Sequence, residues 1–229
     1  MAKVKFSALI SEMRNKLNGS VFSKNRGGNY LRNKVTPVNP NTSFQAAARS
    51  LLTGFAQAWR SLTQGEILAW NNAVQDFKKT DIFGDIKTPS GINLFNRLNI
   101  NLANIGQAAI TTPPLPTEVV PTGALTVAAA AGAGTVSINN GGAGTGANTA
   151  WLIEATSPQS PGKNFVKSEF RVIGYTIPNA ATPLAQGGNY TTKFGAMVAG
   201  QKLFVKCTPI EASTGIAGIP QIASVIIAP

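Results

Sequence analysis

A proline-rich segment at residues 111–123, TTPPLPTEVVPTG, places the strongest constraint on how this chain folds. It contains four prolines in thirteen residues, and proline can neither continue a helix nor donate a hydrogen bond within a sheet. The hydrophobic pattern also changes here, from three- and four-residue steps before the segment to two-residue steps after it. The segment therefore predicts a stiff linker and a domain boundary between a helical part and a β-rich part.

The helical part, residues 42–110, predicts about three short helices, each with apolar residues on one face. Helices this short are stabilised by packing rather than by intrinsic propensity. Capping-box spacing marks two of the predicted starts, and a serine marks the third. These starts are Thr42 with Gln45, Thr63 with Glu66, and Ser90.

Two of the three tryptophans, Trp59 and Trp70, lie eleven residues apart in WRSLTQGEILAW. They could form an active-site wall, a stacking platform for bases, or the seam of a small core. Both fall on the apolar stripes of adjacent predicted helices that a very short connection joins. We therefore predict that they pack together in the core of a helical hairpin.

The β-rich part, residues 124–229, predicts seven short strands separated by turn residues. This pattern is typical of an immunoglobulin-like or fibronectin-like β-sandwich, with Trp151 on the third strand. Cys207 is the single cysteine, so the disulfide of antibody domains is excluded and the fibronectin-like variant is favoured. Since Cys207 alternates with apolar residues, we expect a buried core position. The predicted strands are 124–129, 135–139, 150–156, 169–177, 189–194, 202–209 and 221–228.

The first 41 residues predict a basic arm that has little order of its own. GSVFSKN and GNYLRNKV are candidate strands of a β-hairpin, with Arg26, Gly27 and Gly28 at the turn. An isolated hairpin is marginally stable in water, so we expect it to contact a partner or the helices. Residues 1–34 contain eight Lys or Arg against one acidic residue, Glu12, whereas the whole chain has a net charge of +11. The predicted fold is therefore α+β, with a basic arm or hairpin, a helical segment and a β-sandwich.

The residue types needed for common enzyme chemistry are sparse. The chain has no histidine, which excludes Ser-His-Asp catalysis and histidine metal sites. GGAGTGANT at residues 141–149 lacks the lysine of a phosphate-binding loop and precedes a predicted strand. Asp76, Asp81 and Asp85 match no metal-binding loop, and we interpret them as part of a solvated turn. We expect no catalytic residue, no cofactor and no bound metal.

The basic arm is the candidate partner-binding site. Its cations flank a tyrosine and a glycine turn, a combination that suits phosphate contact together with base stacking. The alternative is an arm that becomes ordered between protein neighbours, where arginine pairs with carboxylates. Apolar residues and asparagines are interspersed in the arm, and they favour protein partners. The residues that we expect to bind a partner are Phe22, Lys24, Arg26, Tyr30, Arg32 and Lys34.

Three stretches together resemble an uncharacterised family encoded by bacteriophages and Bacteroidetes-type bacteria. They are GSVFSKNRGGNYLRNKVTPVNPNT, QAAARSLLTGFAQAWRSLTQGEILAWNNAVQDF and SGINLFNRLN. The resemblance covers roughly residues 18–105 and reaches the β-rich part only in architecture. It implies a virion structural protein and identifies no catalytic residue.

We therefore expect a non-enzymatic structural component of a bacteriophage head, neck or tail. Its predicted partners are other virion proteins and copies of itself, with no membrane and no small-molecule substrate. No signal peptide is recognisable, so we expect synthesis in the host cytoplasm and location in the virion. The alternative is a nucleic-acid-binding protein that uses the arm. A surface or polysaccharide-binding module is a third hypothesis, because fibronectin-like sandwiches also serve that role.

Overall fold

The structure is a computed structural model that describes residues 2–25, 28–80 and 86–229. The chain forms two compact units, residues 1–46 and residues 47–229. Its described residues form α-helices and antiparallel sheets, and the C-terminal part is rich in strands. The predicted α+β class is therefore confirmed at this level.

The N-terminal unit contains a four-stranded antiparallel sheet in the order β1-β4-β3-β2. Its strands are β1 (Ala2–Lys3), β2 (Asn15–Leu17), β3 (Ser20–Asn25) and β4 (Gly28–Asn33). The two strands of the predicted hairpin are confirmed as β3 and β4, which pair from Ser20 with Asn33 to Asn25 with Gly28. Arg26 and Gly27 lie outside the described residues. The sheet has two more strands than the sequence predicted, so the arm has more order than expected.

Three helices follow at the places that their caps predict: α1 (Ser43–Ser61), α2 (Gln64–Ala73) and α3 (Gly91–Asn104). The Thr63–Glu66 capping box is complete, and the backbone N–H of Thr42 donates to Gln45 Oε1 at 3.2 Å. Ser90 has the backbone geometry of an N-cap but makes no side-chain cap bond. A 3-10 turn (Val74–Phe77) extends α2, and β5 (Lys79–Thr80) pairs with β6 (Ile86–Lys87) before α3.

The predicted tryptophan seam is confirmed in part, because both rings belong to one cluster but each packs against Phe95 of α3. The Trp70 ring meets the Phe95 ring edge-on at a centroid distance of 5.3 Å, and the Trp59 ring lies 5.5 Å from it. Trp70 is completely buried, and its indole N–H donates to the carbonyl oxygen of Thr111 at 2.6 Å. Aromatic pairs in this geometry contribute beyond the area that they bury. Trp70 is thus a core residue of the helical region, whereas Trp59 is half-buried and packs against that core.

The β-rich part contains two sheets that share one core. The first has the order β10-β9-β12-β13, and the second has the order β11-β8-β7. Buried residues from both sheets pack against each other, including Ile138, Trp151 and Val205. The strands are β7 (Thr126–Ala130), β8 (Thr135–Asn139), β9 (Thr149–Ala155), β10 (Arg171–Tyr175), β11 (Leu184–Ala185), β12 (Lys202–Glu211) and β13 (Gln221–Ile226).

The predicted strand at 189–194 is wrong, because these residues belong to helix α4 (Gly187–Phe194). Tyr190 and Phe194 are four residues apart and pack with ring centroids 5.0 Å apart, as side chains on one helix face do. Tyr190 is fully buried, and its hydroxyl donates to the Thr156 carbonyl at 3.1 Å. Threonine is enriched in strands, but here the hydroxyls of Thr191 and Thr192 both donate to the Gly188 carbonyl within the helix.

Helix α3 packs against the first of these two sheets. Leu102 and Ile105 form a buried cluster with Ala150 of β9 and Ile210 of β12. Asn101 Nδ2 also donates to the Gly215 carbonyl at 2.8 Å. The proline-rich segment 111–123 therefore lies within a compact unit. Whether residues 42–110 and 124–229 are separate folding domains, as the four-part division proposes, stays a prediction.

Candidate functional site

The N-terminal sheet places the predicted partner-binding residues on two opposite faces. Opposed residues of an antiparallel pair share a face, and successive residues of a strand alternate between faces. Phe22 is opposite Leu31, whereas Tyr30 is opposite Ser23. Phe22 and Lys24 therefore lie on one face, and Tyr30 and Arg32 lie on the other.

The first face has an apolar patch at its centre. Phe22 lies between Leu31 of β4 and Asn15 of β2, and the Phe6 ring is 6.3 Å from the Phe22 ring. Phe6, Phe22 and Leu31 are all half-buried, while Lys24 is exposed. This face therefore provides the small core of the N-terminal sheet.

The second face is basic, and we call Lys3, Lys16, Tyr30 and Arg32 the basic face. Lys3 is opposite Tyr30, and Val21 is opposite both Lys16 and Arg32 on its two neighbouring strands. The three cations are exposed and Tyr30 is half-buried. The sequence did not indicate Lys3 and Lys16, because each lies on a strand too short to show a two-residue pattern.

The one carboxylate in the sequence of residues 1–46, Glu12, is engaged with a different cation. Arg14 Nε donates to Glu12 Oε1 at 2.7 Å, and this hydrogen bond lowers the pKa of the Glu12 carboxyl. Both side chains are solvent-accessible, so the pair contributes little to stability. The charges of the basic face therefore have no carboxylate of their own unit to neutralise them.

The remaining two predicted residues are Arg26 and Lys34. Arg26 lies outside the described residues. Lys34 follows β4, and its backbone N–H donates to the Gly19 carbonyl at 2.8 Å. The structure thus brings Tyr30 and Arg32 together with Lys3 and Lys16 rather than uniting all the predicted residues.

A groove of about 560 Å³ opens beside Lys3 in the same unit. Its lining includes Lys5, Phe6 and Asn29. The side-chain oxygen of Asn29 is buried and receives no hydrogen bond from any described residue. A buried acceptor without a donor is costly, so an N–H group of a bound partner would be favoured there.

Helix α1 presents a second surface that could bind a partner. None of its nineteen residues is buried, although Phe55, Ala58 and Trp59 pack partly against the tryptophan cluster. Earlier in the helix, Leu51 and Leu52 are 38% and 51% exposed. Phe44 is also exposed, at 66%. The apolar stripe therefore continues beyond the part that its own fold covers.

Two of the groups considered above for enzyme chemistry lie in a strand connection and in the core of the β-rich part. The GGAGTGANT stretch connects β8 to β9. Burial, aided by the nearby Glu154 carboxylate, raises the pKa of the Cys207 thiol to about 12. Asp81 and Asp85 lie outside the described residues. Over the described ranges, no three His, Cys, Asp or Glu side chains converge as a metal site would need.

Among the residues that the structure describes, no helix combines the length and the apolar character needed to cross a bilayer.

No family model, curated protein or solved structure matches this chain. The resemblance to a phage-encoded family therefore stays a prediction. The basic face and the exposed apolar residues of α1 are therefore the observations from which a function can be inferred.

Proposed function

We propose that this protein is a non-enzymatic structural component of a bacteriophage virion, in the head, neck or tail. The observation that carries the proposal is the contrast between α1 and the β-rich part. The two sheets bury a shared core, whereas no residue of α1 is buried. A chain whose own core is complete but whose longest helix exposes apolar residues is suited to assembly.

Burial of the exposed leucines would drive that assembly. Burying one leucine side chain contributes about 1.5–3 kcal/mol. Leu51 and Leu52 lie on adjacent positions of α1 and are substantially exposed. Covering both leucines with a neighbouring subunit would supply an appreciable part of the binding free energy of a specific interface.

The strand order supports a fibronectin-like sandwich as the part that packs on or projects from neighbouring subunits. In such folds the first two strands pair, the third and fourth join the opposite sheet, and the chain then returns. Here β7 pairs with β8, β9 with β10, β11 returns to β8, and β12 and β13 complete the β9 sheet. Trp151 lies buried on β9, the third strand of this part.

The partners in this proposal are other virion proteins and copies of this chain, and the protein is located in the virion. The arm and α1 anchor it, and the apolar residues of α1 face a neighbour. The edge strands β10 and β13 provide further surfaces, since an edge strand has unpaired backbone groups that can extend a neighbouring sheet.

Incorporation of variant protein into particles tests the anchoring role. Leu51→Ser with Leu52→Ser removes two exposed apolar residues of α1, neither of which belongs to a buried core cluster. We expect incorporation to fall about tenfold or more. Gln57→Ser, an exposed position on the same helix, is the matched control. Normal incorporation of the double variant, measured by quantitative mass spectrometry of purified particles, would contradict the proposal.

A nucleic-acid-binding role is a second candidate, and the basic face is the observation that favours it. Binding of nucleic acid through the basic face would involve neither the sandwich nor α1. The combination of three cations and one aromatic ring on that face indicates a particular kind of ligand.

A further inference from the structure

The basic face combines positive charge with an aromatic ring in a regular geometry. Tyr30 lies directly opposite Lys3 on the neighbouring strand and two residues before Arg32 on its own strand. Residues two apart on a strand are separated by about 7 Å, and neighbouring strands by about 4.8 Å. The ring of Tyr30 therefore has one cation beside it and another farther along the strand.

Lys16 extends the same face across the sheet. Lys16 and Arg32 flank Val21 on opposite sides, which places their strands about 10 Å apart. Valine and serine, at Val21 and Ser23, are the residues of β3 between these cations. The strand between Lys16 and Arg32 thus presents only the small side chains of Val21 and Ser23 on this face.

We infer that the basic face binds single-stranded nucleic acid, with Tyr30 stacking on a base and Lys3, Lys16 and Arg32 contacting phosphates. Sheet surfaces that recognise single strands use this pairing of aromatic side chains for bases and cations for the backbone. Stacking on Tyr30 requires an unpaired base, which a duplex does not offer. The lack of a free carboxylate in residues 1–46 leaves the cations available to phosphates.

The inference is separate from the virion proposal, because binding is a property of the purified full-length protein. Either one can fail without the other. Incorporation of the α1 variants into particles tests the virion proposal, whereas affinity for nucleic acid tests the basic face.

The test is fluorescence anisotropy of a labelled 20-nucleotide oligothymidylate, titrated with full-length protein over a range of salt concentrations. Each phosphate contact on a single strand contributes about −0.7 to the slope of log K against log salt. Lys16→Gln with Arg32→Gln should therefore make this slope shallower by about 1.4. Lys78→Gln with Lys167→Gln removes the same charge from two exposed positions of the second unit. This control should leave the slope unchanged.

Tyr30 variants separate stacking from charge. Tyr30→Ala should weaken binding to the oligonucleotide about tenfold, in the range measured when a stacking aromatic is removed. Tyr30→Phe retains the ring and should restore binding to near the wild-type level. Arg32→Lys keeps the charge and should also retain binding. Circular dichroism and the urea midpoint establish that each variant is folded.

Three results would overturn the inference. If the salt slope became equally shallow in the Lys16→Gln, Arg32→Gln variant and in its control, the attraction would be a non-specific effect of net charge. Equally tight binding of a 20-base-pair duplex, insensitive to Tyr30→Ala, would indicate phosphate contact without stacking. Binding of a labelled polyglutamate peptide but not of the oligonucleotide would assign the face to an acidic protein.

Discussion

The side chain of Asn99 pairs with both backbone groups of Ile110, as a neighbouring strand would. Its oxygen accepts from the Ile110 N–H at 2.7 Å, and its amide nitrogen donates to the Ile110 carbonyl at 3.2 Å. The same nitrogen donates to the Phe95 carbonyl at 3.1 Å, and Asn99 is completely buried. One helix residue therefore fixes the chain where it leaves the helices for the proline-rich segment.

Replacing Asn99 should destabilise the second unit. Asn99→Ala leaves the partly buried N–H and carbonyl of Ile110 without their side-chain partner, and we expect the free energy of unfolding to fall by about 1–3 kcal/mol. Asn93→Ala, an exposed position on the same helix, should change it by less than about 0.5 kcal/mol. Urea denaturation followed by tryptophan fluorescence measures both variants. If both variants lowered the free energy of unfolding equally, the contact between Asn99 and Ile110 would not stabilise the protein.

Gly215 is predicted to tolerate no side chain. Its φ is +73°, and a Cβ there would meet the carbonyl oxygen of Leu98. Gly215→Ala should therefore lower the free energy of unfolding by about 1–3 kcal/mol. Gly54→Ala is the matched control, because Gly54 lies within α1 with open space around it. There alanine should stabilise by about 0.5–1 kcal/mol, and a loss of similar size at both positions would contradict this account.

The buried Cys207 thiol predicts a loss of stability in alkali. Burial, aided by the Glu154 carboxylate, raises its pKa from 9.0 to about 12. The native state thus favours the protonated thiol, so this contribution is complete below pH 9 and is lost as the pH rises from about 9 to 12.

A variant isolates that contribution from other titrating groups. The difference in free energy of unfolding between the wild type and Cys207→Ala should fall by about 1 kcal/mol between pH 8 and pH 10. Tyr190, whose pKa burial also raises to about 12, is present in both proteins and cancels. A difference that stays constant with pH would show that the thiol ionises equally in both states.

Removing residues 1–34 should leave the second unit folded. The buried clusters and the residues packed against them begin at Phe55, and all three tryptophans, Trp59, Trp70 and Trp151, report on that unit. We expect the urea midpoint of tryptophan fluorescence to change little, while incorporation into particles is lost. A large fall in the midpoint would mean that the second unit depends on the N-terminal sheet. Normal incorporation would remove the arm from the anchoring role.

The helical starts were predictable because their causes are local. Thr63 and Glu66 are three residues apart, and the capping box that they form depends only on that spacing. The apolar stripe of α2 correctly predicted the burial of Trp70. Trp59 is only half-buried, and both rings pack against Phe95 of α3. Most strands of the β-rich part were likewise evident from alternation between turn residues.

The sequence failed where distant contacts decide the structure. The region around Tyr190 has β-branched neighbours, but its burial beside Thr156 selects a helix. Lys3 and Lys16 join Tyr30 only through pairings between strands of two and three residues. The predicted set of partner-binding residues therefore combined two faces, since register is set by long-range pairing rather than by sequence spacing.

The most direct test of the virion proposal is quantitative mass spectrometry of density-purified particles from infected cells. The amount of this protein is measured relative to the major capsid protein. We predict a fixed ratio that is reproduced between preparations and survives a high-salt wash. Absence from the particles, or a ratio that varies with each preparation, would contradict the structural role.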